Sequence, residues 1–229
     1  MPIRAYTVAH PVAFSTTFQA TENPLSEAGA WVNGGAAGLD WQDMQTGSGR
    51  AYAAVISTGF DDCIACLNTS CGISSTKHSS SATIYLESGY TPPDTHEIEI
   101  HAGCTITAHN ITSYEFNIGQ GFIRWNGPGA NFTLQGSADS NAGDGKGWTD
   151  TPTLNNGYAV SDGDVFTVEY DTTSGHPVLT AKHNGTPIVI VADTSAWKIM
   201  TGQPGIACFA RAGATLSARG FTDFTAASL

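Results

Sequence analysis

Basic residues are scarce in this sequence. Nine lysines and arginines stand against 20 aspartates and glutamates, which gives a formal net charge of −11. A surface with this balance repels nucleic acid and anionic membranes. The sequence also has no run of about 18 apolar residues, the length that a transmembrane helix needs. We therefore expect neither a nucleic-acid partner nor insertion into a membrane.

The first ten residues lack the basic segment and the apolar stretch of a secretory signal. This absence predicts a protein that is not exported by that route. A protein on a virus or phage particle would leave the cell by lysis and would need no secretory signal. The expected location is therefore a virion surface or the extracellular space after lysis, and otherwise the cytoplasm.

Signals for helices are also few, whereas turn signals are many. The 229 residues include 26 glycines, only 13% are charged, and 41% are hydrophobic, a composition typical of many short strands joined by turns. No linker or repeat divides the chain, so one domain over residues 1–229 is expected. The prediction is an all-β fold with little helix, namely an antiparallel jelly-roll β-sandwich.

Several segments carry strand patterns, and one pair of them predicts a hairpin. Asn184-Gly185 separates two apolar strand patterns, and Asn-Gly supplies the positive φ angles of a type I′ turn. The predicted strands are His96 to His101, Ser113 to Ile118, Gly121 to Trp125, Val165 to Tyr170, Val178 to His183, Pro187 to Val191 and Gly205 to Ala210.

A set of short motifs resembles the concanavalin A-like lectin/glucanase superfamily, especially its laminin-G-like and glycanase-like members. The motifs are Tyr114-Glu115-Phe116, Phe122-Ile123-Arg124-Trp125-Asn126-Gly127, Asp162-Gly163-Asp164, His183-Asn184-Gly185, Gly202-Gln203-Pro204-Gly205-Ile206 and Phe221-Thr222-Asp223-Phe224. The resemblance covers most of the chain except about residues 61–81, which we interpret as a cysteine-containing insertion. It implies two packed antiparallel sheets. It also implies that a concave face or its rim loops hold a sugar polymer, a cell surface or another protein.

Five cysteines are present, and Cys63, Cys66 and Cys71 have the spacing C-x2-C-x4-C. A zinc site normally needs four ligands, so Cys104 with His78 or His101 would have to complete one. Small buried thiols, or one disulfide within a loop, are the preferred interpretation.

The segment His96-Glu-Ile-Glu-Ile-His101 contains the strongest catalytic candidates. On a strand, Glu97, Glu99 and His101 share one face, with about 7 Å between successive positions. Retaining glycosidases use two carboxylates about 5 Å apart. The glucanases of the resembling superfamily carry a third carboxylate, which this segment lacks. The superfamily's lyases pair a tyrosine with a histidine or glutamine, so Tyr114 or Tyr170 could face His101.

Exposed aromatic rings are the strongest binding candidates. Trp148 lies in the polar, glycine-rich segment Asp144 to Asp150, where a core position is hard to arrange. A flat indole can stack on a sugar ring while polar neighbours bond its hydroxyls. The predicted ligand-binding residues are Trp148, Trp41, Arg124 and Asp150.

No cofactor is expected from the sequence, and a calcium ion is the alternative. Asp139, Asp144 and Asp150 lie in one acidic segment and supply the hard oxygen ligands that Ca²⁺ binds. Loop aspartates are also common turn residues, so both interpretations stay open.

These observations together predict a noncatalytic jelly-roll module that binds a glycan or a partner surface. A decoration or adhesion protein on a virus or phage particle is the expected setting, with carbohydrate or another protein surface as partner and homo-oligomer formation left open. The alternative is a glycoside hydrolase or polysaccharide lyase that uses Glu97, Glu99 and His101.

Overall fold

The computed structural model describes residues 12–37, 41–55, 60–91, 96–107, 110–118, 122–126, 148–150, 159–194, 198–211 and 213–229. Fifteen strands and three short 3₁₀ helices account for the regular structure of these ranges. None of their helices is long and apolar enough to cross a membrane. The predicted all-β jelly-roll sandwich with little helix is confirmed.

The strands are numbered in the order in which they occur along the chain. They are β1 Ala13–Thr16, β2 Trp31–Asn33, β3 Gln42–Gly47, β4 Arg50–Ala53, β5 Phe60–Leu67, β6 Lys77–Leu86, β7 His96–Thr107, β8 Asn110–Ile118, β9 Phe122–Asn126, β10 Trp148–Asp150, β11 Val165–Asp171, β12 Val178–His183, β13 Thr186–Ala192, β14 Gln203–Arg211 and β15 Arg219–Ser228. The 3₁₀ helices are Gly34–Ala37, Thr69–Cys71 and Leu216–Ala218.

The strands form two sheets that share β3. The first sheet has the order β3-β4-β15-β6-β11-β12-β13, with β1 also paired to β15, and the second has the order β10-β9-β8-β7-β14-β5, with β2 and β3 paired to β5. Residues 42–43 of β3 run parallel to β5, whereas residues 44–47 run antiparallel to β4. Apart from β3 with β5, every described pair is antiparallel.

The main core lies between the sheets and follows from the alternation of apolar residues. In β11, Phe166, Val168 and Tyr170 are buried while their neighbours are partly exposed. Phe166 of the first sheet packs against Phe116 of the second, with ring centroids 6.0 Å apart. Burial of such side chains contributes about 1.5–3 kcal/mol each, which makes this alternation the main determinant of the sandwich.

The predicted hairpin is confirmed at Asn184-Gly185. Both residues have positive φ angles, 48° and 80°, and they join β12 to β13 with His183 opposite Thr186. This is the geometry that a two-residue turn needs to match the twist of its strands.

Residues 61–81 differ from the expected insertion. They contain most of β5 and the start of β6. β5 lies between β14 and β3 in the second sheet, and β6 lies between β15 and β11 in the first. The apolar run Cys63-Ile-Ala-Cys66-Leu67 is buried on both faces of β5, so it lacks the polar alternation that marks a half-exposed strand. The segment is part of both sheets.

Candidate functional site

A strip of carboxylate and histidine side chains lies on the outer face of the second sheet. Ile98 and Ile100 of β7 belong to the core between the sheets. Because successive strand residues alternate between faces, Glu97, Glu99 and His101 point the other way. This is the shared face that the sequence predicts.

β8 adds polar side chains to this strip that the sequence analysis missed. Its register places Asn117 opposite Glu99 and Glu115 opposite His101. The Asn117 amide nitrogen donates a hydrogen bond to Glu97 Oε2. The signal was available, because residues 113–117 alternate between polar and aromatic side chains.

His101 is the centre of the strip. Its Nδ1 lies 2.8 Å from Ser113 Oγ, and its Nε2 lies 3.1 Å from Glu99 Oε2. One ligand atom from each of Glu99, His101 and Glu115 lies within 4.8 Å of the others. Both ring nitrogens of His101 already contact protein groups, so a metal ion would have to displace one of these contacts.

The strip is buried. Glu99 is 1% exposed, His101 0% and Glu115 2%. Burial lowers the pKa of His101 to about 4, and the charge of Glu115 opposes this shift only in part. The imidazole is therefore neutral at pH 7. In this conformation His101 links β7 to β8 through Ser113, and Glu99 and His101 are not open to a polymeric substrate.

The tyrosine and histidine pair expected for a lyase is not formed. Tyr114 and Tyr170 belong to the core between the sheets, on the face opposite His101. Tyr114 donates a hydrogen bond to Asp193 Oδ2 at 2.6 Å, and Tyr170 donates one to the Ile199 carbonyl at 2.8 Å. The prediction that either tyrosine faces His101 is wrong, because the alternation of β8 and β11 turns both rings inward.

Trp41 also differs from its predicted role. It is 1% exposed and packs in a second, smaller apolar cluster on the outer face of the second sheet. The other buried members of that cluster are Ile64, Cys66, Cys104, Ile111 and Ala207. A fully buried indole offers no ring face to a sugar, which removes Trp41 from the candidate binding residues.

The other predicted binding residues lie on β9 and β10, whose backbones pair. Asp150 is opposite Arg124, and Arg124 is opposite Glu115 of β8. Trp148 begins β10, so the segment expected to be a loop includes a short strand. The calcium candidates Asp139 and Asp144 lie outside the described residues, so the calcium site stays a prediction.

A disulfide joins Cys66 of β5 to Cys104 of β7, with a Cα–Cα distance of 6.3 Å. It crosses the start of β14, the strand between them. Gly205 allows this crossing, because a Cβ atom there would lie 2.9 Å from Cys66 Sγ. The disulfide is therefore not one within the loop 63–71, as the sequence analysis allowed. Cys66 and Cys104 are also not available as metal ligands, because both sulfur atoms are in the disulfide.

The other three cysteines form no disulfide. Cys63 and Cys208 are buried, and Cys71 is partly buried. Desolvation raises the pKa of the Cys208 thiol, so it stays protonated and acts as a small apolar side chain. The expectation of buried thiols is thus confirmed for Cys63 and Cys208.

A bulge in β7 directs Cys104 to the outer face. Regular alternation would place Cys104 in the core with Ala102, but the pairing of β7 with β8 shifts between Ala102 and Thr105. Gly103 has a φ of 62°, which glycine adopts without steric cost. Cys104 consequently joins the outer cluster with Ile64.

The disulfide forms part of the wall of a cavity of about 500 Å³. We call this cavity the disulfide pocket. Its lining combines apolar side chains, the cystine, hydroxyl groups and amide groups, and none of these side chains is charged. The lining residues are Val32, Cys66, Leu67, Asn68, Thr69, Ser75, Cys104, Thr105, Ile106, Thr201, Gly202 and Gln203.

Gln203 is the most enclosed polar side chain of the disulfide pocket. It is 6% exposed, and its Oε1 atom is buried without a hydrogen-bond partner among the residues that the structure describes. Its position is fixed by its neighbours, because Gln203 pairs with Cys104 and the Gly202 amide donates to the Ser75 carbonyl at 3.0 Å. Buried acceptors without partners are rare in folded proteins.

Comparison with known proteins gives no family model and no curated protein that matches the sequence. Solved structures do align with the chain. A peanut lectin in complex with a 9-residue peptide aligns at 12% identity over 96% of this chain and 98% of that chain, with a TM-score of 0.47. A second alignment, at 8% identity and TM-score 0.46, is with the carbohydrate-binding module CBM66 from Bacillus subtilis, over 82% of this chain and 94% of that chain.

An endo-1,3-beta-glucanase from Streptomyces sioyaensis aligns at 11% identity over 98% of this chain and 100% of that chain, with a TM-score of 0.46. At such low identity the likeness concerns the jelly-roll fold alone.

Proposed function

We propose that this protein is a noncatalytic glycan-binding module and that the disulfide pocket is its principal binding site. The observation that carries this proposal is the lining of the pocket, in which apolar surface and neutral hydrogen-bonding groups occur together. Its volume of about 500 Å³ lies within the range of about 300–1,000 Å³ for small-ligand sites.

The lining suits a sugar because sugars also combine the two kinds of surface. The C–H face of a sugar ring can pack on Val32, and the ring hydroxyls can form hydrogen bonds with the side chains of Asn68 and Thr201. The pocket stands at the ends of β5, β7 and β14, so rigid strands hold its walls in place.

Three sequence-based predictions belong to this proposal and depend on the sequence alone. Trp148, with Arg124 and Asp150, would provide a second contact for a longer glycan. Asp139, Asp144 and Asp150 would bind the calcium ion. The surface of a virus or phage particle would be the setting, with a glycan or another protein surface as the partner.

The test is a glycan array on the full chain, with and without calcium, together with an assay for newly released reducing ends. A Thr201→Phe variant would fill the pocket from an exposed position. Thr186→Phe is the matched control, since Thr186 is exposed on β13 and does not line the pocket. We expect binding without release, lost in Thr201→Phe and kept in Thr186→Phe. Binding that survives Thr201→Phe would move the site elsewhere.

Glycan hydrolysis or lysis is the second candidate function. The observation that favours it is the placement of Glu97, Glu99, His101 and Glu115 on one sheet face. Catalysis would require this buried strip to open to the substrate. Reducing ends or unsaturated products that appear with the native chain and disappear with Glu97→Gln would establish this function in place of simple binding.

A further inference from the structure

The ligand class follows from the charges around the disulfide pocket, provided that the proposed glycan-binding function is correct. None of its lining side chains carries a charge, and the chain as a whole has a formal net charge of −11. An anionic sugar would therefore meet no cationic partner in the lining and would be repelled at long range. The pocket consequently favours a neutral sugar.

The side chain of Gln203 gives further information on the chemical class of the ligand. Its Oε1 has no hydrogen-bond partner within the described part of the chain, so a ligand that offers a donor would satisfy this acceptor. No described residue holds this oxygen by a hydrogen bond, and the terminal torsion of glutamine is broad. Rotation of the amide about this torsion can therefore turn the oxygen toward the cavity, where it would accept a hydrogen bond from the ligand.

Apolar groups lie beside this acceptor. Cys104 is the strand partner of Gln203, so the disulfide runs next to the amide, and the partly buried Ile106 packs with Cys66 and Cys104 and lines the same cavity. A ring hydroxyl would satisfy the acceptor but would leave this apolar surface uncovered. An acetamido group carries an N–H donor and a methyl group only three bonds apart, so one substituent meets both requirements.

We infer that the disulfide pocket binds a neutral, N-acetylated sugar. The acetamido N–H donates to Gln203 Oε1, and the acetamido methyl packs against the disulfide and Ile106. The cavity of about 500 Å³ leaves room for a second sugar unit, so the inference applies to the end of a chain as well as to a single residue.

The experiment is isothermal titration calorimetry of the full chain with three probes. These are N,N′-diacetylchitobiose, cellobiose, which has the same linkage with hydroxyls in place of acetamido groups, and a disaccharide that contains glucuronic acid. One added hydrogen bond is equivalent to about tenfold in affinity. We expect diacetylchitobiose to bind about tenfold more tightly than cellobiose, and the acidic disaccharide to bind most weakly.

Two variants test the assigned contacts. Gln203→Met keeps the length of the side chain but removes the amide, and it should reduce diacetylchitobiose binding to the level of cellobiose. Gln19→Met is the matched control, because Gln19 is exposed and does not line the pocket. Near-ultraviolet circular dichroism reports whether Gln203→Met keeps the native packing. If it does not, Thr201→Phe, at an exposed position, should abolish the preference for diacetylchitobiose.

The outcomes separate this inference from the proposed function. Equal binding of diacetylchitobiose and cellobiose, lost in Thr201→Phe, would overturn the acetamido assignment and support glycan binding. Strongest binding of the acidic disaccharide would overturn the neutral class. A preference that persists in folded Gln203→Met would overturn the role of Gln203. Binding of none of the three probes by the native chain would overturn both the inference and the site.

Discussion

Removal of the Cys66–Cys104 disulfide should lower the free energy of unfolding by about 4 kcal/mol. The disulfide links residues that are 38 positions apart in the sequence. In the chain-entropy relation, a closed loop of this length restricts the unfolded chain by about 13 cal/mol/K, which is about 4 kcal/mol at 25 °C. The two half-cystines are 3% and 1% exposed, so alanine at both positions leaves no unpaired polar group behind.

Urea unfolding of the double variant Cys66→Ala/Cys104→Ala measures this loss. The midpoint should fall while the transition stays cooperative, and the m value should rise because the unfolded chain is no longer cross-linked. Cys71→Ala is the control, since Cys71 is a partly buried free thiol and its removal should cost less than about 1 kcal/mol.

Reduction of the native chain by a dithiol should reproduce the loss seen in the double variant. A double variant whose free energy of unfolding matches that of the native chain would refute the reasoning. The same result would show that the disulfide does not constrain the unfolded state under the conditions of the assay.

Three further predictions concern stability. Burial lowers the pKa of each of His78, His96 and His101 to about 4, so below about pH 6.5 the unfolded chain takes up protons that the folded chain does not. Each histidine should then reduce the free energy of unfolding by about 2 kcal/mol at pH 5. A urea midpoint that is the same at pH 7 and pH 5 would contradict this expected loss of stability. Trp41→Ala should cost about 3–5 kcal/mol, as for other buried aromatics, whereas an exposed sugar-binding tryptophan would cost little; urea unfolding distinguishes the two. Gly205→Ala should cost about 1–3 kcal/mol from overpacking against Cys66 Sγ, and a double-mutant cycle should show a smaller cost when both half-cystines are alanine.

Local pattern was sufficient for much of the fold. Most of the predicted strands of the second half agree with the observed bounds to within about three residues, although the predicted strand His96 to His101 covers only the first half of β7. The Asn184-Gly185 hairpin follows from two residues. Both depend on interactions between neighbours along the chain, such as alternation and turn geometry. The shared face of Glu97, Glu99 and His101 was predictable for the same reason, since it requires only a regular strand.

Features that depend on distant segments were not predictable from these patterns. The burial of Trp41 follows from its packing on Ile64 and the disulfide, and the partner of Cys66 lies 38 residues away. Residues 61–81 were misinterpreted because β5 is covered on both faces, which hides the alternation of an ordinary antiparallel strand. The disulfide pocket combines residues from five separated stretches of the chain, so no local motif indicates it.

The bulge at Gly103 connects the two candidate sites of the second sheet. Up to His101, β7 alternates regularly, and its outward residues form the buried carboxylate and histidine strip. The bulge then shifts the alternation by one residue, so Cys104 and Ile106 point to the face that His101 occupies. Without this shift Cys104 would lie in the core, where it could not reach Cys66 on the outer face of β5. One glycine with a positive φ angle therefore ends the strip and allows the disulfide to form, and through the disulfide it shapes the pocket in which we place the sugar.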